Sequence, residues 1–263
     1  NIKNYVHGMF QSVYDYPYLS SSANHIFDIT IGVAPTSSLT ISTQKSKKNN
    51  IYNQMAQVLM GYDKDGNIQR FDEDGNLTGG TKLDECVFLS FSRLLVKDEI
   101  AKGTFELELG LSSSMSASQI MDGRAVIRDH GATTAYKVNS PVGEYGILYV
   151  SNSSGYPNQK GAVSGHPNYT DNKVACGLLF YQAGVAVITG SLFMSTAAGG
   201  LLSSSCNLHA HNQTFVDSLQ SFEISASADS FRKRIKNISF NNTVELNSTI
   251  YFCRIAHNEF NYS

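Results

Sequence analysis

"VACGLLFYQAGVAVITGSLFM", residues 174–194, carries no charged side chain over a length that could span a bilayer as a helix. Its reading decides the fold. Gln182 interrupts it, Gly177, Gly184 and Gly190 recur through it, and Lys173 is almost the only flanking cation. With its β-branched residues, these features favour two buried strands, CGLLFYQ and GVAVITGSLF, joined or bulged near Ala183-Gly184. No membrane span is expected. Strands apolar on both faces need cover from both sides, by a central sheet or by a neighbouring subunit. Phe180, Tyr181, Val185, Val187 and Phe193 are therefore interface candidates, with an intramolecular core as the competing use of the same side chains.

Outward from this ribbon, TFELEL alternates strictly, Phe105, Leu107 and Leu109 opposing Thr104, Glu106 and Glu108, which predicts a half-buried antiparallel strand with its carboxylates on the exposed face. CVFLSF before it and YGILYV at 145–150 read as further strands. Residues 51–60, IYNQMAQVLM, place Ile51, Met55, Val58 and Leu59 on one helical face, with Gly61 a natural stop. Ala228, Phe231 and Ile235 keep helical spacing, and TVELNSTIYFCRIA reads as a long final strand. The polar stretches 111–119 and 151–172 read as loops. Residues 1–50 are aromatic without a clear period, apart from a short strand near Phe27 to Val33. They predict an extended N-terminal arm on which Tyr14 and Tyr16 are packing anchors, against this chain or a neighbour. The expected fold is mainly β with a few short helices (α+β): an antiparallel sheet or sandwich-like core over 51–263, and the arm over 1–50.

The segment GYDKDGNIQRFDEDGNLTGG, 61–80, repeats one phrase, Asp63, Asp65 and Asn67 corresponding to Asp72, Asp74 and Asn76. Asp63, Asp65, Asp72 and Asp74 are candidate calcium ligands. An EF-hand register from Asp63 puts Ile68 where the loop needs glycine and Asp74 where it needs a bidentate glutamate. Glycine directly after the second acid instead suits a tight turn. Two successive turns are expected, with Ile68 and Phe71 as packing residues and no metal.

The 263 residues are 41% hydrophobic but only 16% charged, below the usual quarter, with a net charge of −2. No global field attracts nucleic acid or an anionic membrane. The one basic run, Arg232-Lys233-Arg234 with Lys236, is expected on the solvated face of a helix. Cys86, Cys176, Cys206 and Cys253 form no CxxC pair and read as buried free thiols, suited to a reducing compartment. Cys206, His209 and His211 could meet a metal but lack further ligands nearby. No nucleophile elbow, phosphate loop or zinc-helix motif occurs, and Asp129-His130 alone is too common a pairing to define a triad. Neither an enzyme nor a cofactor is expected.

The phrases LDECVFLSFSRLLVKDEIAKGTFELELG, GLLFYQAGVAVITGSLF and ISFNNTVELNSTIYFCRIAHNEFNYS together resemble virion structural proteins of large contractile-tailed phages, marine and cyanobacterial ones in particular. The resemblance runs from about residue 50 onward and is strongest in the ending HNEFNYS, beyond which relatives continue, so more chain is expected past Ser263. It implies a structural component of the virion, tail or baseplate first, assembled in the host cytoplasm. The partners it implies are other virion proteins and copies of the chain itself. The competing expectations are a cell-surface adhesin or carbohydrate-binding β-domain stabilised by calcium, and an envelope-degrading hydrolase using Asp129 or His130.

Overall fold

The computed structural model describes residues 1–110, 124–151, 169–170, 173–193, 219–244, 248–252 and 254. In chain order the strands are β1 (Ile2–Asn4), β2 (Gln11–Tyr14), β3 (His25–Val33), β4 (Glu85–Phe91), β5 (Glu99–Ile100), β6 (Glu106–Gly110), β7 (Arg124–Arg128), β8 (Tyr145–Ser151), β9 (Tyr169–Thr170), β10 (Lys173–Phe180), β11 (Val185–Thr189), β12 (Ile235–Ser239) and β13 (Asn242–Thr243). The helices are α1 (Lys45–Leu59), α2 (Arg93–Val96), α3 (Ala132–Ala135) and α4 (Ile224–Arg232).

The uncharged stretch is a hairpin. Phe180 pairs with Val185, Leu178 with Val187 and Gly177 with Ile188, and Gly184 closes the turn at φ 65. Only glycine holds that backbone without strain. A bulge between Ala175 and Gly177 shifts the register of β10 against β8. Among the described residues, no helix is long and apolar enough to cross a membrane.

Every pairing between named strands is antiparallel. The order β1-β2-β3-β4-β11-β10-β8-β7-β6-β12 makes one 11-stranded sheet with β9 beside β10, and β13-β5 is a separate two-stranded ribbon. The expected sandwich is thus replaced by a single sheet that rolls. Five strand steps separate β4 from β6, about 24 Å if the sheet lay flat. Yet the ring of Phe91 at the end of β4 lies 5.9 Å from Phe105, beside β6, and 5.1 Å from Phe240, just past β12. Cross-strand partners share a face, so Phe27, Ile29, Ile31, Val87, Leu89, Ile188, Leu148, Ile127 and Leu107 line the inside of the roll, all buried.

The outer face of the middle strands is covered too. Thr30, Gly32, Phe88, Val187, Phe180 and Tyr145 point outward by register. Over them lie α1 and the 61–83 segment. Phe71 seats its ring 5.5 Å from Tyr52, 5.8 Å from Phe88 and 6.4 Å from Phe180. Burial of one such side chain contributes about 1.5–3 kcal/mol. α1 comes so close that a Cβ on Gly32 would sit 2.8 Å from the backbone nitrogen of Tyr52.

Three expectations are corrected here. Residues 1–33 do not stand away as an arm, because β1, β2 and β3 pair in succession onto β4. Helix α1 begins at Lys45 rather than Ile51, and its buried face is Lys48, Ile51, Tyr52, Ala56 and Leu59, leaving Val58 exposed. The long final strand is, among the described residues, only β13, and Ile250, Tyr251 and Phe252 lie in no strand.

Candidate functional site

The interface candidates fall into two groups. Phe180, Tyr181 and Val187 are 0% exposed and Val185 8%, all within this chain's own fold. Their two-sided apolar character comes from α1 and the 61–83 segment outside and the opposite wall of the roll inside, so they are core and not contact surface. The side chain of Phe193 lies outside the described residues. Tyr14 is half-buried against His25, and Tyr16 is 58% exposed.

Three of the four acidic candidates, Asp63, Asp72 and Asp74, serve the turns. Asp63 accepts the backbone N–H groups of Asp65 at 2.9 Å and Asn67 at 2.8 Å, and the bond from Asn67 foremost holds its carboxyl below the usual range. Asp65 faces solvent beside Lys64. Asp74 accepts from the backbone and side-chain amide of Asn76. Asp72 is buried, taking the Leu77 N–H at 2.8 Å on one oxygen and the Lys82 ammonium at 2.8 Å on the other. Gly66 and Gly75, one in each repeat, have φ 82 and 67, as the turn reading requires. No group of three or more His, Cys, Asp or Glu that could hold a metal occurs among the described residues. Cys206, His209, His211 and Cys253 lie outside them.

Asp129 faces inward, away from His130, which is exposed. Its carboxylate accepts the N–H of Gly103 at 2.6 Å, the N–H of Phe105 at 3.2 Å and the Tyr181 hydroxyl at 3.1 Å. Burial pushes its pKa above the usual carboxylate value despite those donors. It clamps the 101–105 turn onto the β10–β11 hairpin. Cys86 and Cys176 are buried free thiols, each pushed up by burial and so kept as unreactive thiol.

The basic run is not an open cationic face. Arg232 and Lys233 both pair with Asp229, Lys236 pairs with Glu108, and Arg234, 2% exposed, donates to the Gly110 carbonyl at 2.9 Å. Glu106 pairs likewise with Arg128, so the outer face of β6 is an ion-paired surface rather than bare carboxylates.

Lys48, unsuspected from the sequence, is fully buried and donates to the carbonyls of Leu219 at 2.5 Å and Phe222 at 2.8 Å. Beside it Gln44 takes the Ile224 N–H on its side-chain oxygen at 3.0 Å, capping α4. Desolvation lowers the Lys48 pKa from 10.5 to about 8. Between these values the unfolded chain binds more protons than the native one, so this group makes stability rise with pH through that window. The stability of the native protein minus that of Lys48→Met, from denaturant titrations at pH 7 and pH 10, is expected to grow with pH. A difference that stays flat would mean the ammonium is not desolvated.

Part of the described surface is apolar. An open groove of about 390 Å³ runs between α1 and the turn joining β1 to β2, lined by Met9, Phe10, Thr30, Ile51, Met55 and Val58. Elsewhere Leu94 is 71% exposed, Val244 50%, Ile250 74%, Tyr251 85% and Phe252 92%. The sequence marked the aromatic content of residues 1–50 and read 250–252 as part of a strand, but could not show that this chain leaves them uncovered. Comparison with protein-family models, curated proteins and solved structures finds no match for this chain.

Proposed function

We propose that this chain is a structural component of a tailed-phage virion, in the tail or baseplate, acting through contacts with copies of itself and with other virion proteins. The observation that carries the reading is the run Ile250-Tyr251-Phe252, whose side chains are 74%, 85% and 92% exposed. Consecutive large apolar side chains left in water are unfavourable, and such patches on soluble proteins mark sites of association. The resemblance of its phrases to virion structural proteins of contractile-tailed phages supplies the setting. The carboxylates and lysines described above, engaged in turns, clamps and ion pairs, are consistent with a role in scaffolding.

Particles purified from the phage that encodes the chain are expected to contain it in several copies. Antibody raised against the chain should decorate the tail or baseplate in negative-stain images. Particles lacking the chain by mass spectrometry would overturn the proposal.

A further inference from the structure

We propose that Ile250, Tyr251 and Phe252 of one copy seat in the apolar groove between α1 and the β1–β2 turn of a second copy. The inference rests on the assembly reading above and names the partner and the surfaces. Two uncovered apolar features occur among the described residues of the same molecule, a run of three large side chains and a groove. The run 250–252 combines a β-branched residue with two aromatics, side chains that anchor interfaces from extended backbone. The groove offers Met9 and Met55, whose unbranched side chains adapt to an incoming ring, with Phe10, Ile51 and Val58 as further apolar wall. Within one molecule the two do not meet, since Phe252 remains 92% exposed and Val58 61%.

The size of the contact sets its strength. Aromatic side chains bury about 150–250 Å² each, so the three residues and the groove together remove roughly 900 Å² from water. That falls below the ~1,200–2,000 Å² of stable pairwise complexes and in the range of transient ones. A pair of copies is therefore expected to associate weakly, in a concentration-dependent way. The contact is also heterologous: each copy offers a donor run and an acceptor groove, so association continues from copy to copy and closes as a ring or extends as a filament.

Light scattering on three versions of the full chain tests this. The native chain is expected to gain mass as its concentration rises through the micromolar range. The triple variant Ile250→Ser/Tyr251→Ser/Phe252→Ser keeps its groove and loses its donor. The variant Met55→Glu/Val58→Glu keeps its donor and loses its groove. Each alone should stay monomeric, and an equimolar mixture should form a one-to-one dimer and nothing larger. Monomeric native chain, either variant associating like it, or a mixture that remains monomeric would overturn the proposal. As a readout independent of the triple variant's folding, a fluorescent peptide of residues 248–254 carrying Cys253→Ser should bind the native chain. Val58→Glu, at an exposed position, should weaken that binding at least tenfold; equal binding to both overturns the proposal. Particles lacking the chain would remove the virion reading and leave every one of these outcomes unchanged.

Discussion

Asp129→Ala is expected to lower the unfolding free energy by about 4 kcal/mol and the thermal midpoint by roughly 10 °C. The carboxylate is 2% exposed and is the shared acceptor for two backbone N–H groups, of Gly103 and Phe105, and for the Tyr181 hydroxyl. Alanine leaves all three donors inside the protein without it, at about 1–3 kcal/mol each before any relaxation. Tyr181→Phe removes one donor and leaves the carboxylate its other two, so its cost should be about 1 kcal/mol. Asp129→Asn falls between them, because its amide nitrogen would face groups that also donate. The titration has a definite sign. The native pKa is raised by burial, so the stabilisation from this group is fully present below the ordinary carboxylate range and is lost as pH rises through the native value. The gap between native protein and Asp129→Asn should narrow over that interval. An Asp129→Ala loss below about 1 kcal/mol would show that the clamp is not made.

Gly32→Ala should reverse the usual sign of its substitution. Alanine in a strand interior normally gains about 0.5–1 kcal/mol over glycine through backbone entropy. Here the added methyl would lie 2.8 and 2.9 Å from the backbone nitrogen and Cα of Tyr52 and 3.0 Å from the Phe88 ring. A helix backbone cannot rotate aside as a side chain can, so α1 must lift from the sheet. The expected loss is about 2–3 kcal/mol, rising to about 4 for Gly32→Val. Hydrogen exchange should locate the damage in α1 and in the 61–83 segment, whose Phe71 packs against Tyr52. A neutral or stabilising Gly32→Ala would mean that the helix does not rest on β3 at this point.

The hairpin was legible because its evidence is local: glycines spaced through a branched, uncharged stretch admit few other conformations. Phe105, Leu107 and Leu109 were legible for the same reason, their alternation being a property of six consecutive residues. The fate of Phe180, Tyr181, Val185 and Val187 was not. A strand apolar on both faces announces that it needs two covers, yet the outer cover comes from Tyr52 and Phe71, more than a hundred residues earlier, and nothing in 174–194 distinguishes that from a partner. Lys48 misled in the opposite way. A lysine in STQKSKKNN reads as solvated, and only the Leu219 and Phe222 carbonyls, 171 and 174 residues away, make its burial tolerable. β1 and β2 were hidden because short strands with mixed polarity gain their identity from pairing. The role of Asp129 is hidden in the sequence because its partners come from separate segments, Gly103 and Phe105 on one and Tyr181 on the other. The acidic repeat was legible as turns because Gly66 and Gly75 stand where a positive φ is required.

The strand order has a kinetic corollary. β4 is made early but finds one of its two neighbours, β11, only after about a hundred further residues, since Ser90 pairs with Val185 and Cys86 with Thr189. At roughly 5–20 residues per second of synthesis, the nascent β3–β4 unit waits on the order of 5–20 s with one hydrogen-bonding margin open. Such distant pairings also make refolding slow. During that interval the emerging polypeptide is most exposed to mispairing with its neighbours on the same message, and the yield of native protein should improve when translation of residues 92–189 is fast.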